Sequence, residues 1–259
     1  MKKDGKHILV LKDSKTIRSI HEDFILFHSR SHPCTFYYFI AVFLTKKSTF
    51  DVKKDMFLKI YEENPNPKDI REVVAELRKG AVVIYPTDTI YGIGCDINNA
   101  KAVERVARIK NMNLKKEHLS FICHDLSQIS EYTKSLDNAT FKMMKRNLPG
   151  PFTFIVNANS NVPKLFKNNK KTVGIRIPDN NIIRDLVKEL GHPILSTSVL
   201  DEDEVLEYTT DPELIYEKYQ NLVDIVIDGG YGDNSPSTVV DCTQGDFDII
   251  REGKGELEY

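Results

Sequence analysis

The sequence predicts an α/β fold, a single domain built on a twisted, mixed β-sheet with flanking helices. Three observations carry this. Short apolar runs of strand length recur along the chain, several of them continuous rather than alternating, as expected where helices cover a sheet. Segments with apolar residues at helical spacing lie between many of these runs. Some neighbouring runs are joined without a helix, so the sheet holds strands of both directions.

In chain order, Phe57–Tyr61 alternates like a strand, and the Pro-rich break Asn64-Pro65-Asn66-Pro67 follows. Val73, Val74 and Leu77 then predict a helix that Gly80 stops. Further strands are expected at Ala81–Tyr85, Leu119–Cys123, Phe152–Val156, Val173–Ile177, Pro193–Ser198, Val223–Ile227, Ser237–Asp241 and Phe247–Arg251. Helices are expected over 99–110, through Ala100, Val103, Val106 and Ala107, and over 139–147, through Phe141, Met143 and Met144. Residues 181–190 carry Ile182, Ile183, Leu186, Val187 and Leu190 before Gly191, and 211–220 opens with Asp211-Pro212, a helix-start signal. The chain shows no internal repeat or low-complexity tract.

Charge divides the chain. Residues 1–55 hold 11 Lys/Arg against 6 Asp/Glu, and residues 56–259 hold 25 against 32, so the overall −2 is a basic leader summed with an acidic remainder. The leader keeps neither a helical nor a strand period for long. Its longest apolar run, Phe36 to Leu44, is short of the ~20 residues a membrane helix needs and has no signal-peptide cleavage site after it. We therefore expect residues 1–55 to lie outside the folded unit or upstream of a functional start at Met56, with residues 56–259 forming the domain. A metal site using His7, His21, His28 and His32, or a targeting role, is the alternative for the leader. Cys34, Cys95, Cys123 and Cys242 are far apart with no zinc spacing, which reads as reduced thiols in a cytoplasmic protein.

Five clusters could carry chemistry. The densest, Tyr85-Pro86-Thr87-Asp88-Thr89-Ile90-Tyr91-Gly92-Ile93-Gly94, places hydroxyls and a carboxylate at a strand end, followed by glycines that let backbone approach a ligand. A tight turn with an Asp cap is its plainer reading. Leu148-Pro149-Gly150-Pro151 leads into a strand with Thr153 near its start, and Gly174-Ile175-Arg176-Ile177-Pro178 sets a guanidinium into an apolar strand. That arginine suits a carboxylate or phosphate, or else a structural ion pair. Ser196 and Ser198 end another strand, and Asp228-Gly229-Gly230-Tyr231-Gly232 leads to Ser235-Pro236-Ser237-Thr238-Val239-Val240-Asp241. No Walker A lysine, GxGxxG, metal cage or Ser-His-Asp order is present. The inventory favours binding and orienting a polyanion over nucleophilic catalysis.

These clusters, in this order, resemble the YrdC-like family, which includes the threonylcarbamoyl-AMP synthases of tRNA modification, over residues 58–255. The resemblance implies a twisted α/β sheet with a concave pocket. It also implies a nucleotidyltransferase that joins L-threonine, bicarbonate and ATP, with Mg2+ accompanying the ATP, into threonylcarbamoyl-AMP and pyrophosphate. By motif position, Thr87 would line the threonine site, Lys110 would meet the triphosphate, Thr153, Ser196, Ser198 and Ser237 would line the nucleotide site, and Arg176 would anchor an anionic part of the ligand. Two positions depart from the synthase pattern: Met112 stands in place of an arginine and Leu200 in place of an asparagine. With the closing Ile249-Ile250-Arg251-Glu252-Gly253, they make the chain most similar to the YciO subgroup, a paralogue of the synthases. The alternative is such a paralogue without efficient synthase activity, binding double-stranded RNA, tRNA or another nucleotide. Lys142, Lys145, Arg146, Lys164, Lys167, Lys170 and Lys171 form the basic stretch an RNA would need.

Overall fold

A computed structural model describes residues 56–113, 120–163, 171–199 and 210–259. The leader of residues 1–55, Leu200, and Lys164, Lys167 and Lys170 of the basic stretch lie outside the described residues. Ten strands form one mixed sheet: β1 (Met56–Lys59), β2 (Val83–Tyr85), β3 (Gly92–Asp96), β4 (Ser120–Ile122), β5 (Phe152–Asn157), β6 (Thr172–Arg176), β7 (Ile194–Ser198), β8 (Ile225–Asp228), β9 (Thr238–Asp241) and β10 (Asp248–Arg251). Their spatial order is β1-β8-β2-β3-β7-β4-β6-β5-β9-β10. Parallel and antiparallel neighbours alternate irregularly, because β2 runs straight back as β3 while other strands return through helices.

Alternation along the strands builds two cores. Val83, Tyr85, Ile122, Ile194, Ile225 and Ile227 point to one face, against α1 (Pro67–Lys79) and α5 (Asn181–Leu190). The residues between them, such as Ile84, Phe121, Leu195 and Val226, point to the other. There α2 (Ala100–Ile109) and α4 (Asn138–Asn147) cover them with Val103, Val106, Met143 and Met144, joined by α3 (Leu126–Tyr132) and α6 (Pro212–Tyr219). Burial on both faces is why the strands read as unbroken apolar runs.

The helix ends follow the sequence signals. Asn66 accepts from Lys68 N at 3.0 Å ahead of Pro67, and Gly80 closes α1 at φ +100° while donating to Glu76 and Leu77 carbonyls. Asn180 and Gly191, at φ +87°, do the same for α5. The helix α3 carries no expectation from periodicity; Asp125 caps it, accepting from Gln128 N at 3.0 Å.

Strand β3 revises one expectation. Gly92 and Gly94 sit in a central strand rather than a ligand-contacting loop, antiparallel to β2 and β7. The Tyr85 ring lies across them: a Cβ on Gly92 would stand 2.6 Å from that ring, and one on Gly94 2.0 Å from the Leu195 carbonyl oxygen and 2.8 Å from Tyr85 Oη. These glycines make room for a buried tyrosine. Gly94→Ala should therefore cost about 1–3 kcal/mol through overpacking, read as a lower denaturation midpoint; an unchanged midpoint would show that the ring can retreat.

Candidate functional site

Lateral pairing decides which side chains share a face. Gly94 pairs with Ser196, Ser196 with Ser120, Ser120 with Gly174 and Gly174 with Ile155, so these five face the same way. Two residues along, Ser198 joins them beside Gly92, and Arg176 and Thr153 join them at the other end. Thr153 pairs with Val239, which pairs with Arg251, and Ser237 precedes Val239 by two. This face is the one that α1 and α5 cover over Ile122 and Ile194. Past those residues the row is built of small side chains, of which Gly94, Ser196 and Gly174 are buried and Ser120 partly so.

Arg176 dominates it. Its Nη2 donates to Asp88 Oδ1 at 2.6 Å, to Thr89 Oγ1 at 2.6 Å and to Thr87 Oγ1 at 3.3 Å. The loop between β2 and β3 is thus drawn over the sheet to β6. Asp88 also accepts from Asp179 N at 3.1 Å, and Thr87 donates to Ile90 O at 2.8 Å. The arginine is therefore an ion-pair partner first, and its Nε is buried with no hydrogen-bond partner among the described residues.

Thr153 Oγ1 and Ser237 Oγ lie 2.8 Å apart, and Arg251 donates to Ser237 O at 2.8 Å and to its Oγ at 3.2 Å. Ser237 Oγ thus accepts from Arg251 and shares a hydrogen bond with Thr153 in which either hydroxyl can donate. Arg251 is exposed as a residue, with its contacts to Ser237 partly buried, and no carboxylate among the described residues pairs with it. Burial and, secondarily, the nearby Arg176 cation hold its pKa below the usual guanidinium value. Two cations that act on each other, with a carboxylate among the described residues on Arg176 alone, suit an oxyanion. Arg251 falls in the closing Ile249-Ile250-Arg251-Glu252-Gly253 that the resemblance picked out, but nothing in the sequence assigns it a place in the site.

The remaining candidates fall at the rim. Lys110 caps α2 and donates from Nζ to Val199 O at 3.1 Å, just past Ser198. Ser196 is buried and Ser198 exposed. Met112 packs partly buried against the core. Lys142, Lys145 and Arg146 are exposed on α4 and Lys171 before β6. A cavity of about 790 Å³ opens beside Thr87 and Asp88, lined also by Pro149, Asp179, Asp233 and Lys254. A second, of about 450 Å³, lies farther along β5 between Ile155, Asn157, Thr172, Asp241 and Ile250.

The C-terminal segment closes one side. Thr238 Oγ1 donates to Gly255 O at 2.6 Å, and Asn147 Oδ1 accepts from Glu258 N at 2.9 Å. Lys254 Nζ is thereby set on Asp88 O at 2.7 Å and on Asp233 at 2.8 Å. Burial pushes the Cys95, Cys123 and Cys242 thiols up, Cys242 to about 12, so none is a thiolate nucleophile at neutral pH. Among the described residues no group of three His, Cys, Asp or Glu is placed to hold a metal ion, and no helix is long and apolar enough to cross a membrane.

The profile of a family described as "Telomere recombination", Sua5/YciO/YrdC, matches residues 75–253. The chain belongs to this family. It is 39% identical to an uncharacterized protein YciO of Escherichia coli over 204 residues, which span 78% of this chain and 97% of that one. An uncharacterized protein of Haemophilus influenzae is 38% identical over 200 residues, 77% and 96% of the two chains. Among solved structures, E. coli YciO superposes at a TM-score of 0.73 and 38% identity, over 78% of this chain and 97% of that one. A P. abyssi Sua5 complexed with L-threonine superposes at 0.68 and 24% identity, over 76% and 57%. The YrdC-like fold and the likeness to the YciO proteins hold; the YciO relatives carry no assigned activity.

The Lys254 contact makes a pH prediction. Its hydrogen bond to Asp233, with backbone donation from Ser235, holds that carboxyl below the ordinary carboxylate value. A depressed pKa gives stability that is present above the unfolded value, near 3.9, and is lost as pH falls towards the folded one. In Lys254→Met the Asp233 pKa should rise towards ordinary, and the acid side of the stability curve should flatten. A carboxyl titration by NMR showing the same low pKa in both proteins would assign the shift to the backbone donors instead.

Proposed function

We propose that this protein is a nucleotidyltransferase of the threonylcarbamoyl-AMP synthase type, using L-threonine, bicarbonate and ATP and releasing pyrophosphate, with a product suited to tRNA threonylcarbamoyladenosine modification. The observation that carries the reading is Arg251: a guanidinium without a carboxylate partner among the described residues, which Arg176 acts on and which donates to Ser237 of the Thr153–Ser237 hydroxyl pair. A guanidinium without a carboxylate partner suits bidentate binding of an oxyanion.

In the reaction, the threonine amine and bicarbonate give a carbamate with loss of water. The carbamate oxygen then forms a bond to the α-phosphorus as the bond to pyrophosphate breaks. No protein nucleophile is required. The chain's task is to hold two anions together and neutralise the charge that develops. Arg176 and Arg251 supply fixed cations, and Thr153 and Ser237 supply a hydroxyl pair beside them. Thr87, locked by Ile90 O and Arg176, lies at the lip of the larger cavity, where an amino-acid substrate would enter. Lys110 and Ser198 stand at the far rim for the triphosphate. Mg2+ would arrive chelated by ATP, its ligands being phosphate oxygens and water rather than a protein cage.

Met112 and Leu200 remove two polar contacts found in the synthase pattern. One charge-assisted contact is worth about 1.5–3 kcal/mol, a factor of roughly 10 to 10², so slow turnover is expected. The purified full chain with Mg2+ and ATP should release pyrophosphate only when both L-threonine and bicarbonate are present, and Arg251→Ala should cut the rate at least tenfold. Release without threonine, or none under conditions where a synthase works, would refute the reading.

A further inference from the structure

Tyr85 is fully buried, yet its hydroxyl has no hydrogen-bond partner among the described residues. The ring crosses Gly92 and Gly94, which puts Oη over the position where Gly94 pairs with Ser196. The Ser196 hydroxyl and the Arg176 cation are both close enough to act on it, although no hydrogen bond of normal geometry joins it to Ser196. A phenylalanine would fill the same volume without the penalty of an unmade buried hydrogen bond. The tyrosine oxygen therefore sits beside Ser196 on the same face of the sheet.

We propose that Tyr85 is a positioning residue for the nucleotide: when a phosphoryl oxygen engages Ser196, Tyr85 Oη–H donates to Ser196 Oγ and turns the serine proton towards the ligand. A serine hydroxyl has one proton and two lone pairs. A phosphoryl oxygen only accepts, so the serine must donate to it, and its Oγ is then left to accept from below. Burial raises the Tyr85 phenol well above its ordinary value, which keeps it a protonated donor throughout the neutral range. Gly94 is part of the device, since any side chain there would occupy the space of the hydroxyl. The inference rests on the nucleotide reading above and adds a buried residue of the same face.

The test is calorimetric titration of ATP into the wild type, Tyr85→Phe, Ser196→Ala and the double variant, with melting of each in the absence of ligand. Tyr85→Phe should melt no lower than wild type and bind ATP about tenfold more weakly, the loss expected for one hydrogen bond to a charged ligand network. In the Ser196→Ala background the same change should have no further effect. Unchanged ATP affinity in Tyr85→Phe, with or without a lower melting temperature, would overturn the relay and leave the hydroxyl structural. A full tenfold loss persisting without Ser196 would also overturn it. A wild type that does not bind ATP would overturn the nucleotide reading itself, and the relay with it, which separates the two failures.

Discussion

The Arg176–Asp88 ion pair is the constraint on which the site depends. Eighty-eight residues separate the partners in sequence, and β3, β7 and β4 lie between β2 and β6 in the sheet. Their side chains are 11% and 10% exposed, so both charges are held nearly out of water. Such a pair is stable only when the remaining donors and acceptors are met, and the chain meets most of them locally. Thr87, Thr89 and the Asp179 amide all converge on the two groups. The loop carrying the hydroxyls is thereby fixed over the sheet face instead of standing free at its end.

The rest of the face follows from what that loop leaves uncovered. The α1 and α5 helices shield the apolar rows, while Gly94, Ser196, Ser120 and Gly174 form a floor without bulk. On the far side, Arg251 has no carboxylate partner among the described residues and donates to Ser237, which sits beside Thr153. Of the two arginines, Arg176 is thus tied to a carboxylate within the protein and Arg251, among the described residues, to neutral groups only. The C-terminal segment, pinned through Thr238 and Asn147, brings Lys254 against Asp88 and ties the β2–β3 loop to the 233–236 turn. Fold and site are built by the same contacts.

Much of this was legible in the chain. The apolar runs located nine strands to within about two residues, and Gly80, Gly191 and the Asp211-Pro212 pair marked helix ends through their own local chemistry. Strand β3 was hidden because its glycines, chosen for the Tyr85 ring, imitate a loop. Helix α3 was hidden by its shortness. In the site, Thr87, Thr153, Ser196, Ser237 and Arg176 were visible as strand-end polar residues, and pairing register brings them to one face or over it. Asp88 as the partner of Arg176, Arg251 as its neighbour and Tyr85 beside Ser196 were not visible. Each depends on a contact across many residues that no local period encodes, and Tyr85 looks in sequence like any other core aromatic.

The central claim is that Arg176 and Arg251 together form the seat of an oxyanion. Nitrogen-detected NMR of arginine Nε–H groups during titration of the full chain with pyrophosphate tests it most directly, because it reads both side chains without requiring turnover. The account predicts that the Arg251 and Arg176 signals shift together, with one dissociation constant, and that the Arg105 signal, tied to Asp224 on the far side of the fold, stays still. Arginine signals that move in parallel with Arg105, or an Arg251 that does not move at all, would contradict it.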